Sequence, residues 1–244
     1  MKKAGLLKVI LTVTIALTSL SGIYAKNYYV SNSGNDGANG TSSSTPWKTI
    51  SKVNSTTLSA GDTVFFFAGG SWRETLELRY SGNSGNRIVY TRYGEGKNPE
   101  ILGSEKAVDW TSTGTTNVWK TATSLENLAD EYYPGGLFFI EDDSVTWGNH
   151  KNYNSSFSNL TEQYDFCVNG SVHYVYSTKD PDEYQAIEVT QRDECIAAFD
   201  NSPVSYLVFQ GINFRFSRLS GFYAGYPAIR GATDLTFRSC KIGY

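Results

Sequence analysis

Methionine occurs once, at position 1, and the 244 residues hold only two histidines, three cysteines and six prolines. The scarcity of soft ligands argues against a zinc centre: no C-x-x-C pair is present, and only His150 and His173 offer ring nitrogens. Cys167, Cys195 and Cys240 are odd in number and far apart, so they cannot form a disulfide framework and read instead as buried apolar thiols. No phosphate-binding glycine loop, dinucleotide fingerprint or G-x-S-x-G elbow occurs. Charged residues make up 18%, too few for a disordered chain, and 21 basic against 24 acidic side chains make nucleic acid an improbable partner. What is abundant is Gly, Asn, Ser, Thr and aromatic residues (14%), which favours strands and turns around a sizeable core.

The one long apolar run is Val9 to Leu20, preceded by Lys2, Lys3 and Lys8 and followed by Ser21-Gly-Ile-Tyr-Ala25. It is shorter than the ~20 residues of a membrane span, and the pattern is that of a secretory signal cleaved before Lys26. The expected location is secreted, periplasmic or extracellular, with no membrane attachment after cleavage. Removing the three lysines leaves 18 basic against 24 acidic residues.

Charge is unevenly spread over the remainder. Residues 26–120 carry 10 basic and 8 acidic side chains, 121–200 carry 3 and 15, and 201–244 carry 5 and 1. The middle block therefore differs in kind from its flanks. After a strand at Asn27–Ser31 and a turn-rich stretch to Gly40, Thr45-Pro46 offers an N-cap and a first-turn proline for a short helix with Trp47, Ile50 and Val53 on one face. From Gly61 onward short apolar strands begin about 11 to 13 residues apart, at Val64, Thr75, Ile88 and Ile101. Such spacing leaves no room for crossover helices and excludes doubly wound and barrel α/β folds.

Near the C-terminus, Ser205–Phe214 superposes on Thr233–Ile242 at an offset of 28, aligning Leu207 with Leu235, Phe209 with Phe237, Ile212 with Cys240 and Phe214 with Ile242. A fixed offset with matching alternation means that like side chains stack on like. Pro227–Gly231 reads as a third strand of the same turn, and three strands in about 28 residues is what one coil of a parallel β-helix needs.

Tyr28-Tyr-Val-Ser31, Thr45-Pro-Trp-Lys-Thr-Ile50, Ala60-Gly-Asp-Thr-Val64, Trp72-Arg73, Tyr93-Gly-Glu-Gly96, Asn98-Pro-Glu-Ile101, Asn117-Val-Trp-Lys120 and Tyr174-Val-Tyr-Ser-Thr-Lys-Asp-Pro181 resemble the N-terminal portion of secreted right-handed parallel β-helix proteins of the pectate-lyase-like superfamily. The resemblance implies an all-β, single-stranded, right-handed β-helix with a short N-terminal capping helix. Its expected divisions are a signal over 1–25, a strand, loop and capping helix over 26–60, first coils over 61–104, an acidic insertion or long loops over 105–186, and further coils over 187–244. The strand pattern is still running at Tyr244 with no polar cap, so a chain truncated at its C-terminus is expected, with catalytic residues lying beyond it. The group contains lyases, glycosidases and members of no assigned activity. The leading expectation is thus a carbohydrate-active protein that cleaves an acidic or complex polysaccharide by β-elimination or hydrolysis. The alternative is a non-catalytic carbohydrate-binding or cell-surface protein.

Hydrolysis of a glycosidic bond needs two carboxylates facing across the sugar. Glu141-Asp142-Asp143 is the densest acidic run, and it reads first as a solvated loop. Elimination from a uronic acid needs a cation to neutralise the carboxylate, Ca²⁺ being possible, and a base to take the proton. Arg215, Arg230 and Arg238, with Tyr223 and Tyr226 nearby, form a candidate outward strip that would pair with carboxylates and stack on sugar faces. His150 is a modest candidate for sugar contact and His173 a structural residue, while catalytic residues are not identifiable.

Overall fold

The computed structural model describes residues 24–121, 123, 125, 136–151, 156–198, 203–218 and 233–243. They are almost entirely β-structure in several sheets, with no closed barrel. The first stretch comprises β1 (Asn27–Val30), α1 (Ile50–Asn54), β2 (Thr63–Phe67), β3 (Ser71–Trp72), β4 (Leu76–Leu78), β5 (Ile88–Tyr93) and β6 (Glu100–Leu102). Next come β7 (Ser104–Ala107), β8 (Trp110–Ser112), β9 (Val118–Thr121), β10 (Leu137–Glu141), β11 (Ser144–Trp147), β12 (Asn149–His150), β13 (Asp165–Asn169), β14 (Val172–Tyr176) and β15 (Ala186–Thr190). The last stretch holds β16 (Ile196–Ala198), β17 (Ser205–Gln210), β18 (Asn213–Arg215), β19 (Thr233–Arg238) and β20 (Ile242–Gly243).

The first and last stretches share three sheets in which every pairing is parallel. One runs β1-β2-β5-β17-β19, a second β20-β18-β6-β3, and a third joins β16 to β4. The 28-residue offset is realised here: Leu207 pairs with Leu235, Phe209 with Phe237 and Gln210 with Arg238, while Phe214 pairs with Ile242 in the neighbouring sheet. Like side chains stack as a result, and Phe209 lies between Tyr90 at 5.1 Å and Phe237 at 4.7 Å with nearly parallel rings. The strands alternate inward and outward, so Val64 and Phe66, Leu76 and Leu78, and Ile88 and Tyr90 all enter one apolar core. The Pro227–Gly231 strand expected in this region lies outside the described residues.

A single solenoid running through the whole chain is not what the middle stretch forms. Between β6 and β16 the sheets are β11-β10-β15-β7 and β12-β13-β14-β9-β8, with antiparallel pairings throughout except β12 with β13. Tight hairpins explain the change of direction: Glu141 pairs with Ser144 across the two residues Asp142 and Asp143, which have φ of 49° and 61° as a primed two-residue turn demands. These sheets enclose their own core around Leu137, Phe139, Phe166, Val175 and Ile187. Strand β10 is buried on both faces, because Phe138 and Ile140 pack the other way, against Leu102 and Phe216. That contact fastens the antiparallel stretch to the parallel one.

The expected helix cap is displaced by four residues. Thr49, not Thr45, is the N-cap, its Oγ1 accepting from the Lys52 amide at 3.0 Å. Thr45 donates instead to the Asn39 side chain, and Trp47 precedes the helix, bridging Val30 and stacking on Tyr28. The cause is a distant carboxylate: Asp36 accepts from the Lys48 and Thr49 amides and the Thr49 hydroxyl, holding the segment extended until Ile50. Ile50 and Val53 are buried in the main core as their spacing predicts.

Candidate functional site

Outward-facing residues of the parallel sheet β20-β18-β6-β3 form the floor of a groove of about 590 Å³, and the β10–β11 hairpin with the start of β15 forms one wall. Register builds the floor. Ser71, Glu100 and Asn213 occupy one row, and Leu102 and Arg215 pair in the outward row two residues on. Between these rows the side chains of Trp72, Ile101 and Phe214 turn inward and are buried.

Four charged groups meet across this groove. Arg215 on the floor donates from Nη1 to Glu100 Oε1 at 3.1 Å, and its guanidinium lies 4.3 Å from the Phe216 ring centroid. Its Nε and Nη2 are buried without a hydrogen-bond partner. Lys97 reaches from the β5–β6 connection to Asp143 on the hairpin tip, Nζ to Oδ2 at 2.7 Å. Gln185 donates to the other Asp143 oxygen at 3.3 Å, and its own Oε1 accepts from the Asp143 amide. The hydrogen bond from Lys97, followed by that from Gln185, holds the Asp143 carboxyl below the usual carboxylate range, with Lys97 and Arg215 adding favourable charge. Three carboxylates line the groove; Glu100 on the floor and Asp143 on the wall each lie beside a cation, and Glu188 is the third.

Deeper in, Arg73 clamps Glu188 and Ser104. Ser104 Oγ also donates to Glu188 at 2.7 Å, so this buried carboxylate is satisfied by three donors and serves to join β15 to β7 and to the segment after β3.

The residues singled out from sequence are dispersed. Arg215 lies in the groove, but half-buried and engaged with Glu100 rather than projecting as part of an open strip. Arg238 is exposed on β19, stacked in register on Gln210 in a different parallel sheet. Tyr223, Tyr226 and Arg230 lie outside the described residues. Within Glu141-Asp142-Asp143, Glu141 pairs with Lys179 and Asp143 alone enters the groove. His150 packs on Phe166 with ring centroids 4.9 Å apart, and burial lowers its pKa. His173 is buried, and that burial lowers its pKa to about 4. Burial pushes the Cys195 thiol up to about 12. Among the described residues no group of three or more His, Cys, Asp and Glu side chains is disposed to hold a metal ion. Glu100 and Lys97 escape sequence reasoning because nothing local links them to Asp143, which the acidic run offers only as part of a solvated loop. The available signal was Glu100 immediately before the buried Ile101, which marks it as outward on a stacked strand.

No family model matches this chain, and no curated protein matches it. Solved structures do. One, titled as the complex of XylC with xylose, matches with a TM-score of 0.61 at 19% identity over 79% of this chain and 35% of its own. Another, titled a glycoside hydrolase, matches with a TM-score of 0.52 at 13% identity over 80% of this chain and 51% of its own. At such identities the likeness is one of fold. The chain spans about a third and about half, respectively, of these structures' lengths.

Proposed function

We propose that this is an exported, carbohydrate-active protein built on a right-handed parallel β-helix that carries an antiparallel insertion, and that its groove binds a sugar chain. Three wholly parallel sheets and the 28-residue return from β17 to β19 support the architecture. The observation that carries the functional reading is the pair of carboxylates facing one groove from separate elements, Glu100 from the floor and Asp143 from the wall. Such a pair suits hydrolysis of a glycosidic bond, where one carboxyl group protonates the departing oxygen and the other acts as base or nucleophile. Asp143, kept ionised by Lys97 and Gln185, suits the role of base or nucleophile. Arg215 and Lys97 supply donors for hydroxyls or for a sugar carboxylate, which keeps acidic polysaccharides among the substrates. The xylose in the complex with XylC makes xylose-containing chains the first neutral substrates to test.

A purely binding role is the second reading, and it is favoured by one feature: both carboxylates are already engaged by cations in the resting groove. Incubation with xylan, pectate and alginate separates the alternatives. New reducing ends that disappear in Glu100→Gln and Asp143→Asn mean hydrolysis, whereas absorbance near 235 nm means elimination. Retarded migration in a polysaccharide-containing gel with neither product means binding alone. Absence of all three sinks the proposal for those substrates.

A further inference from the structure

Asp62 is 1% exposed, and no cationic side chain pairs with it among the described residues. Its Oδ2 accepts from the Ser59 amide at 2.9 Å, and its Oδ1 accepts from the Lys26 main-chain nitrogen at 2.7 Å. Both contacts come from main-chain nitrogens, which as amides bring protons but no net charge. The Lys26 nitrogen is the atom that signal cleavage before Lys26 would release.

We infer that the Ala25–Lys26 bond is a processing site and that the amino terminus it creates is received by Asp62 as a half-buried ion pair. This rests on the secretory reading of the first 25 residues and is independent of the groove. Hydrolysis by the exporting cell's signal peptidase adds one water across the bond. Ala25 leaves with the new carboxylate, and Lys26 keeps the nitrogen, which takes a proton and becomes an ammonium.

The surroundings are prepared at both ends of this event. Tyr24, Ala25 and Lys26 are exposed, so a peptidase can reach the bond. Lys26 itself is already fixed: its carbonyl accepts from the Thr63 amide at 2.8 Å, and Asn27 pairs with Thr63 as β1 joins β2. The ammonium therefore appears in place, with little chain entropy left to lose. Beside it lies a hollow of about 260 Å³, already open to solvent and lined by Ala25, Ser59, Ala60, Asn83 and Asn86. An amide offers Asp62 one proton and no net charge, whereas the ammonium offers three protons and a full charge.

Few other groups bear on the pair. From β1 the buried Tyr28 hydroxyl faces Asp62, and its pKa is raised by burial and then by that carboxylate. Ser59, Asn83 and Asn86 are neutral, and Arg87 beyond them is directed to Asp234 at 3.7 Å. The Lys26 side chain is exposed. An α-amine has an ordinary pKa of roughly 7.7–8.0, and a carboxylate partner raises it in the folded state. The added stability is then complete below pH ~7.7 and is lost as pH climbs through the raised value.

The test compares the full chain beginning at Lys26, released from a cleavable fusion, with the same chain beginning at Tyr24. At pH 6.5 the Lys26 form should melt about 4 °C higher. The gap should close by pH 10.5 and should be absent in the Asp62→Asn pair. Protein recovered from an exporting bacterial host should give Lys26 as its first residue on N-terminal sequencing. Equal melting temperatures at pH 6.5, a gap that persists at pH 10.5, or a different first residue would each overturn the inference. The wild-type pair decides the matter even if Asp62→Asn does not fold.

Discussion

The Arg73 guanidinium holds the Glu188 carboxylate through two hydrogen bonds, Nη1 to Oε2 at 2.6 Å and Nη2 to Oε1 at 2.8 Å, across 115 residues of sequence. Removing one partner strands the other, because Glu188 is 4% exposed. Arg73→Ala should lower the unfolding free energy by about 3–5 kcal/mol, while replacing both residues by methionine should recover much of that loss. Denaturant unfolding of the three variants checks this; a double variant no better than the single one would contradict it.

Helix α1 supplies a sharper local test. Thr49→Ala removes the hydroxyl that caps Lys52 and that donates to Asp36, and should cost about 1–2 kcal/mol. Thr45→Ala, on an exposed side chain that serves no helix end, should change the melting temperature little. Equal effects from the two would refute the assignment of the cap.

Phe209 is fully buried between two stacked rings. Phe209→Ala should cost about 3–5 kcal/mol through lost burial and the cavity left behind. The corresponding change at half-buried Phe237 should cost less, since fewer of its contacts are dry. Paired thermal melts measure the difference.

His173 makes stability depend on pH. Burial lowers its folded pKa to about 4 from 6.5, so the unfolded chain takes up a proton first as the medium is acidified. The sign follows: no effect above pH 6.5, and a progressive loss from there towards pH 4 that amounts to about 3 kcal/mol. His173→Phe should flatten the unfolding profile across this window. Asp36, Asp143 and Asp165, whose pKa values are lowered from 3.8, weaken the fold only at more acidic pH, so the two contributions separate on the pH axis.

Much of the parallel stretch was legible because its information is repeated. Leu207 and Phe209 carry the same alternation as Leu235 and Phe237, and the return at 28 residues fixed both the register and the direction of pairing. The antiparallel stretch carries no such repeat. Its strand β10, Leu-Phe-Phe-Ile, is buried on both faces and so shows no alternation from which a facing direction could be read. Thr45-Pro46 has the local pattern of a cap, whereas Asp36, 13 residues before Thr49, redirects the backbone and moves the helix start there. The groove was illegible for a related reason. Lys97 and Asp143 are 46 residues apart and Arg215 and Glu100 are 115 apart, so only the stacking of strands and the docking of one hairpin bring them together.

The two-residue tip that carries Asp143 projects over the floor while remaining outside the stacked strands. Lengthening or retwisting that tip would move an acid across the groove without disturbing a single rung beneath it. The scaffold thereby separates what must stay constant from what can be tuned, and a change in the shape and charge of the groove is open to it through one short loop.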